Sequence, residues 1–134
     1  MTGAELADAA ERLVGCPFRL HGRDPATGLD CLGVLAAALA SGGRVAPLPT
    51  RYTLRRKADP LPTGIAESLG LVPTSGAAAR GDVLLFDVGP CQLHLAVAAG
   101  DARLVHAHAG LRRVVVGPLP PEWRRVAHWR LIPS

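Results

Sequence analysis

The sequence changes character at Gly81-Asp82, and this change constrains the fold more than any other feature. Before it, apolar residues recur at helical spacing; after it, short apolar runs are separated by turns rich in Gly and Pro. These runs cover residues 83–88, 93–98, 103–107, 112–116 and 126–132. Helices followed by strands predict an α+β domain, in which a roughly five-stranded antiparallel sheet packs on a central helix.

Three helices are predicted in the first half of the chain. Thr2 and Glu5 form a capping box, and apolar residues follow them at helical spacing. A second helix begins near Asp30 and is apolar on nearly every side, so we expect it to be buried at the centre of the domain. A third, short helix covers residues 63–69 and ends at Gly70.

Length and composition favour one domain spanning residues 1–134. The chain has 134 residues and 49% hydrophobic content, which suits a single core. Aromatic residues make up only 4%, so the core must be built from small aliphatic side chains. Three cysteines are too few for a disulfide framework and form no CxxC pair. We expect no metal and no cofactor.

The chain has a modest positive charge. Fifteen Lys and Arg against eleven Asp and Glu give a formal charge of +4, which attracts anionic partners in general. The densest basic run, residues 51–57, contains a single aromatic and is flanked by prolines, so a solvated loop is favoured over a nucleic-acid site. The chain begins without the pattern of a secretory signal and has no apolar stretch typical of a membrane span. We therefore expect synthesis in the cytoplasm and no membrane insertion.

Cys31 is the residue best placed for nucleophilic chemistry. The first turn of a helix stabilises a thiolate through free backbone N–H groups and the helix dipole, and the Cys31 N–H is also placed to stabilise an oxyanion. A turn centred on Gly100 would set His94 directly opposite His106, whereas a turn half a residue later would set Ala107 there. The alternatives are a cysteine that only packs in the core and histidines that only satisfy local hydrogen bonds.

Several segments, in order, resemble the NlpC/P60 cysteine peptidases. Residues 15–19 (GCPFR) and 28–34 (GLDCLGV) are similar to the family's G-x-P-Y and D-C-x-G segments. Residues 81–86 (GDVLLF), 94–97 (HLAV) and 105–107 (VHA) are similar to its G-D strand and its two histidine segments. The resemblance implies a reduced papain-like fold, with Cys31 as nucleophile, His94 as general base and His106 as the polar residue that orients His94.

The resemblance also implies a substrate. Family members cut peptidoglycan stem peptides, at the bond between D-glutamate and a diamino acid. Phe18 stands where the family often has a Tyr that assists the oxyanion or substrate, and Asp30 and the Cys31 N–H are further candidates for binding the substrate or the oxyanion. His21, in the loop before Cys31, is a further candidate for the substrate groove, with a solvated loop position as the alternative.

Residues 122–125 (EWRR) resemble a segment of short wall peptidases encoded among the tail genes of phages and gene transfer agents. That version of the family implies tail proteins as partners and delivery to the periplasm within a tail particle. Two alternatives stay open. One is a non-catalytic tail or wall-binding module with a vestigial site. The other is a zinc site built from Cys91, His94, His106 and His108, although their spacing is not that of common zinc motifs.

Overall fold

The computed structural model describes residues 1–44, 63–90 and 92–133 of the chain. The basic run 51–57 and Cys91 lie outside these residues. The helices are α1 Gly3–Glu11, α2 Cys31–Ser41 and α3 Thr63–Ser68. The strands are β1 Arg23–Asp24, β2 Gly28–Leu29, β3 Leu71–Pro73, β4 Val83–Gly89, β5 Gln92–Gly100, β6 Arg103–His108, β7 Arg113–Pro118 and β8 Arg124–Leu131. Within the described ranges, no helix is long and apolar enough to cross a membrane.

The predicted capping box begins α1. The Thr2 hydroxyl accepts a hydrogen bond from the Glu5 N–H, and the Glu5 carboxylate accepts one from the Thr2 N–H. Helix α2 is capped by Asp30 and is the buried central helix that its apolar sequence predicts, because most of its side chains are in the core. These two helices pack together on one face of the main sheet. The α+β prediction is confirmed.

The main sheet has six strands in the order β3-β8-β4-β5-β6-β7, and every neighbouring pair is antiparallel. The five predicted strands are all present, and β3 is an addition that pairs with β8 at the sheet edge. The face towards α2 carries Leu85, Leu95, Val97 and Val105. The opposite face, here called the outer face, carries a second apolar cluster. Its buried members are Leu84, Phe86, Ala96, Ala98 and Leu104.

The β5–β6 hairpin differs from both predicted registers. Its ladder is centred on Asp101, because Val97 pairs with Val105 and Ala98 with Leu104. The reason lies in the turn: Asp101 and Ala102 both adopt positive φ and form a two-residue turn between Gly100 and Arg103, and a bulge between Ala98 and Gly100 then moves the centre of the ladder back to Asp101. Direct opposition of His94 and His106 is therefore wrong, and so is opposition of His94 and Ala107. In the observed register His106 is diagonal to His94.

The ladder between β5 and β6 is also short. Backbone pairing extends from the turn only as far as Val97 and Val105, although β5 begins at Gln92 and β6 ends at His108. Beyond Val97 the two strands are no longer paired with each other. Both strands contact α2, so the helix that carries Cys31 lies against the hairpin whose ladder ends there.

A buried ion-pair cluster holds the start of β4 to β8. The Asp82 carboxylate accepts hydrogen bonds from the Ala79 N–H at 2.9 Å, from Nε2 of His128 at 2.6 Å and from both Nε and Nη2 of Arg130. Arg125 Nη1 donates to Nδ1 of His128 at 3.1 Å. Gly81, with φ of +92°, lies so close to Gly3 that a Cβ would overlap the Gly3 carbonyl. Close packing against Gly3 thus accounts for Gly81, and the ion-pair cluster accounts for Asp82.

Candidate active site

Asp30 organises the N-terminus of α2. Its Oδ1 accepts a hydrogen bond from the Gly33 N–H at 2.9 Å and an ion pair from Arg23 at 3.1 Å, while its Oδ2 accepts from the His21 N–H at 2.8 Å. The carboxylate is almost completely buried. Because both oxygens are bonded to the protein itself, this geometry favours positioning of the helix terminus and the His21 loop over contact with a substrate.

The Cys31 thiol lies at the first position of α2 and is 3% exposed. Burial raises the pKa of the thiol to about 12, against the opposing hydrogen bonds of the Leu95, Leu32 and Cys31 backbone. The resting sulfur is therefore a neutral thiol, in spite of its place at a helix N-terminus. The Leu95 contact is informative, because it sets the sulfur against β5 next to His94.

His94 and His106 form a hydrogen-bonded pair of imidazoles. Nε2 of His94 and Nδ1 of His106 are 2.9 Å apart, and the rings are nearly perpendicular. This bond bridges β5 and β6 where their backbone ladder has ended. Since Nε2 of His94 is engaged, Nδ1 is the nitrogen left for proton transfer. In the matching neutral tautomer, the Nε2–H of His94 donates to His106.

Both imidazoles are held neutral. Burial, and then the nearby His106 and His108, lower the pKa of His94 to about 3. Burial, and then His108, lower the pKa of His106 to about 4. No carboxylate appears among these causes, so nothing offsets the cost of charging either ring. The resting site is a neutral thiol and a neutral imidazole pair that line the same cleft.

One open cleft of about 970 Å³ brings all six predicted site residues together. It is lined by Cys31, His94, His106, Asp30, Phe18 and His21. The Phe18 backbone is fixed by its N–H, which donates to the Arg112 carbonyl at 2.9 Å, and its ring has no hydroxyl to offer. His21 adopts positive φ of 60°, and the Asp30 bond to its N–H holds it in that unfavourable backbone conformation.

Sequence reasoning missed the role of Trp123. The indole is half-buried, lines the cleft and contacts both imidazoles. Its only sequence signal was membership of the Glu122–Arg125 segment. His108 also lines the cleft, as a partly exposed residue whose Nδ1 accepts a hydrogen bond from the Leu111 N–H at 3.0 Å.

The described residues contain no group of three or more His, Cys, Asp or Glu side chains arranged to hold a metal ion. The zinc hypothesis included Cys91, which lies outside those residues. His94, His106 and His108 remain neighbours, but His94 and His106 direct ring nitrogens at each other and not at a common point.

Comparison with known proteins identifies the fold. No protein-family model and no curated protein sequence matches the chain. Among solved structures, the NlpC/p60 domain of the peptidoglycan hydrolase SagA is 26% identical, with a TM-score of 0.65 over 98% of this chain and 100% of that one. The peptidoglycan hydrolase RipB of Mycobacterium tuberculosis is 21% identical, with a TM-score of 0.63 over 98% of this chain and 65% of its own.

A third similar structure is RipD of Mycobacterium tuberculosis, described as a non-catalytic NlpC/p60 domain protein adapted to peptidoglycan binding. It is 19% identical, with a TM-score of 0.63 over 97% of each chain. Hydrolases and a non-catalytic protein are therefore alike in backbone, so the likeness identifies the architecture and the side chains must decide the activity. The chain has the NlpC/P60 fold.

Proposed function

We propose that the chain is a cysteine endopeptidase that hydrolyses peptide bonds of bacterial peptidoglycan stem peptides. The observation that carries the proposal is the cleft in which Cys31, at a capped helix N-terminus, faces the same space as the His94–His106 pair. The likeness to SagA and RipB supports a cell-wall substrate. The cleft is large enough to admit a peptide.

In the first half of the reaction, Nδ1 of His94 takes the proton from the Cys31 thiol as the sulfur attacks the substrate carbonyl carbon. Because the resting groups are neutral, deprotonation accompanies formation of the C–S bond. The Cys31 N–H stabilises the oxyanion. The tetrahedral intermediate then collapses, the C–N bond breaks, and the imidazolium returns its proton to the leaving amine.

In the second half, His94 removes a proton from water, and the resulting hydroxide attacks the thioacyl carbon. The C–S bond breaks, Cys31 leaves as thiolate and recovers a proton from His94, and a carboxylic acid is released. His106 accepts the Nε2–H of His94 throughout, so it fixes the tautomer and the ring orientation that both halves need. Water is the only co-reactant in the complete cycle.

The bond cut is proposed to be that between D-glutamate and the diamino acid of the stem peptide, on the strength of the motif resemblance. The test is digestion of purified peptidoglycan followed by mass analysis of the released fragments. Wild-type protein should produce new glutamyl and diamino-acid ends, and Cys31→Ala should produce none. If the wild-type digest, and not the Cys31→Ala digest, contained other new ends, a different bond would be assigned and the proposed peptidase activity would be retained.

Cys16 provides the matched control, because Cys16→Ala removes a thiol that does not line the cleft. It should digest peptidoglycan like the wild type. Equal digestion by wild type and Cys31→Ala would overturn the assignment of the nucleophile.

The second candidate function is wall binding without catalysis. Two observations favour it: Phe18 lacks the hydroxyl that the family often has at this place, and RipD has the same fold without activity. It predicts that wild-type protein sediments with insoluble peptidoglycan and releases no fragments over a long incubation. Turnover at any rate that Cys31→Ala abolishes would reject it.

Delivery within a phage-like tail particle is a further part of the proposal, supported by the resemblance of the Glu122–Arg125 segment. It predicts tail proteins as partners and action in the periplasm. Particles purified from the producing cells should contain this chain together with tail proteins, as measured by mass spectrometry. Recovery of the chain only in particle-free fractions would contradict this placement without bearing on the peptidase chemistry.

A further inference from the structure

Trp123 is in contact with both members of the imidazole pair. Its ring centroid is 5.2 Å from that of His94 and 5.2 Å from that of His106, with interplanar angles of 75° and 74°. Edge-to-face contact at such distances is the favourable geometry for aromatic rings. The indole also lines the cleft beside the two histidines and is half-buried, so part of it covers the paired rings and part is exposed.

The indole is firmly held. Behind it lies Phe86, a fully buried residue of the outer face, with ring centroids 5.6 Å apart. The connection from β7 to β8 that carries Trp123 contains Pro120 and Pro121, whose fixed φ restricts the backbone. The Leu119 N–H donates to the Ala102 carbonyl at 2.9 Å, and the Trp123 N–H donates to the Pro120 carbonyl at 3.1 Å.

We propose that Trp123 is a positioning residue that shields the His94–His106 hydrogen bond from water and holds both rings in the orientation that turns Nδ1 of His94 towards the cleft. The His94–His106 bond lies beyond the end of the β5–β6 ladder, so the backbone alone does not hold it together. The Trp123 indole, which contacts both rings, supplies that constraint. The inference rests on the peptidase function for its kinetic consequence only.

The charges around the pair allow this assignment. On β6, His106 and His108 act on His94, and on α2 Cys31 and Asp30 line the same cleft. Glu122 and Arg124 flank Trp123 in sequence and are exposed, and Arg124 forms an ion pair with Asp87. Burial is the first cause of the lowered pKa of both imidazoles, so removal of the covering indole should return both towards ordinary values.

The test is a proton NMR titration of the imidazole Cε1 signals, assigned with His94→Gln and His106→Gln. In the wild type neither signal should move between about pH 7 and pH 5. In Trp123→Ala both should titrate at a pH higher by about one unit or more. Trp123→Phe, which keeps an aromatic ring of smaller area, should shift them less, and it carries the test if Trp123→Ala fails to fold.

Trp129→Phe is the matched control, because it removes the other indole of the chain, which is buried in the core near the sheet edge. Its cost should appear in stability, with the imidazole titration unchanged. Wild-type titration in folded Trp123→Ala and Trp123→Phe would overturn the proposal, and so would equal shifts in Trp129→Phe.

Kinetics separates this inference from the peptidase proposal. With stem peptide as substrate, Trp123→Ala should lower kcat about tenfold, leave KM within about twofold, and move the acid limb of kcat/KM upward with the imidazole titration. Trp123→Phe should recover most of the loss. If the titration shifts while wild-type protein shows no turnover, the shielding stands and the peptidase function falls.

Discussion

Two histidines on the same sheet, His94 and His128, illustrate opposite uses of an imidazole. On β5, Nε2 of His94 is bonded to the uncharged ring of His106. On β8, Nε2 of His128 is bonded to the Asp82 carboxylate, and its other nitrogen accepts a hydrogen bond from Arg125. His128 thus has both nitrogens engaged by charged groups. Nδ1 of His94 is the ring atom that its partner leaves for chemistry at the cleft.

The partners differ in their electrostatics as well. Burial raises the pKa of Asp82, but the hydrogen bonds from Arg130, His128 and the Ala79 N–H outweigh it and leave the pKa lowered. That cluster is a set of mutually compensating charges suited to holding strands together. The His94–His106 pair has no compensating charge, so both rings stay neutral; the lowered pKa leaves His94 unprotonated but makes it a weaker base than an ordinary imidazole. The two histidines therefore differ in the charge of their partners: His128 is bonded to a carboxylate and a guanidinium, and His94 to an uncharged ring.

The largest effect should come from exchanging the two histidines for alanine. His94→Ala should lower kcat/KM about a thousandfold because it removes the proposed general base, with little loss of stability. His128→Ala should leave kcat/KM within about threefold and lower the free energy of unfolding by about 2–3 kcal/mol. Steady-state kinetics and urea unfolding check both. A folded His128→Ala protein as inactive as His94→Ala would abolish the distinction.

Next in size is Asp82→Asn, which keeps the shape of the side chain and removes its charge. We expect the free energy of unfolding to fall by about 2–3 kcal/mol, because His128 and Arg130 lose their charged acceptor. Asp8→Asn is the control, since Asp8 pairs with Arg80 at an exposed site and should cost less than about 1 kcal/mol. If urea unfolding showed equal losses of free energy for Asp82→Asn and Asp8→Asn, the buried cluster would stabilise the fold no more than an exposed ion pair does.

A smaller effect is expected from the orienting imidazole. His106→Ala should lower kcat about thirtyfold, because His94 loses the acceptor that selects its tautomer. His106→Asn keeps an acceptor within reach and should lose about tenfold at most. The ratio of the two kcat values measures orientation. Identical kinetics for both variants would mean that His106 acts by its bulk and not by its hydrogen bond.

The smallest effect is in the pH dependence of stability. The His94–His106 pair and the Asp82 cluster should lose stability in different pH ranges. Unfolded histidines take up protons near pH 6.5, but folded His94 and His106 resist until about pH 3 and pH 4, so acid favours the unfolded state within that window. Each ring should cost on the order of 1–2 kcal/mol by pH 5. The lowered pKa of Asp82 contributes stability that is lost only as pH falls below about 3.8.

Urea unfolding at a series of pH values measures this separation. In the double variant His94→Gln/His106→Gln, the free energy of unfolding should no longer decline above about pH 4 but should still decline below about pH 3.8. In Asp82→Asn, the decline above about pH 4 should remain and the decline at lower pH should be lost. If the double variant declined between about pH 6.5 and pH 4 as steeply as the wild type, the neutral pair would not be the source of the acid sensitivity.

Local sequence rules predicted much of this fold. The capping box and the start of α2 near Asp30 were readable because short-range hydrogen bonds determine them, and the five main strands because short apolar runs lie between Gly- and Pro-rich turns. Strand β3 was missed because it has three residues, one of them Pro73, and exists only through pairing with β8. The hairpin register failed because positive φ at Asp101 and Ala102, neither of them glycine, has no strong sequence signal.

The site was predictable in its members but not in its geometry. The motif order named Cys31, His94 and His106, and all three line one cleft. The predicted contact between His94 and His106 is present although the predicted register is wrong, because diagonal neighbours in a sheet are close enough for two rings to meet. Trp123 was not predicted as a site residue because its contacts join a loop to two strands far away in sequence, and no periodicity records such a contact.

The Asp30 carboxylate has a mechanical consequence. One buried carboxylate binds both the helix terminus that carries Cys31, the proposed nucleophile, and the backbone of His21 at the rim of the cleft. A displacement of the rim loop would therefore strain the same carboxylate that caps α2, the helix whose first residue is Cys31. Evolution or engineering that reshapes this rim to admit a different peptide must preserve that tether or rebuild the attack trajectory from the beginning.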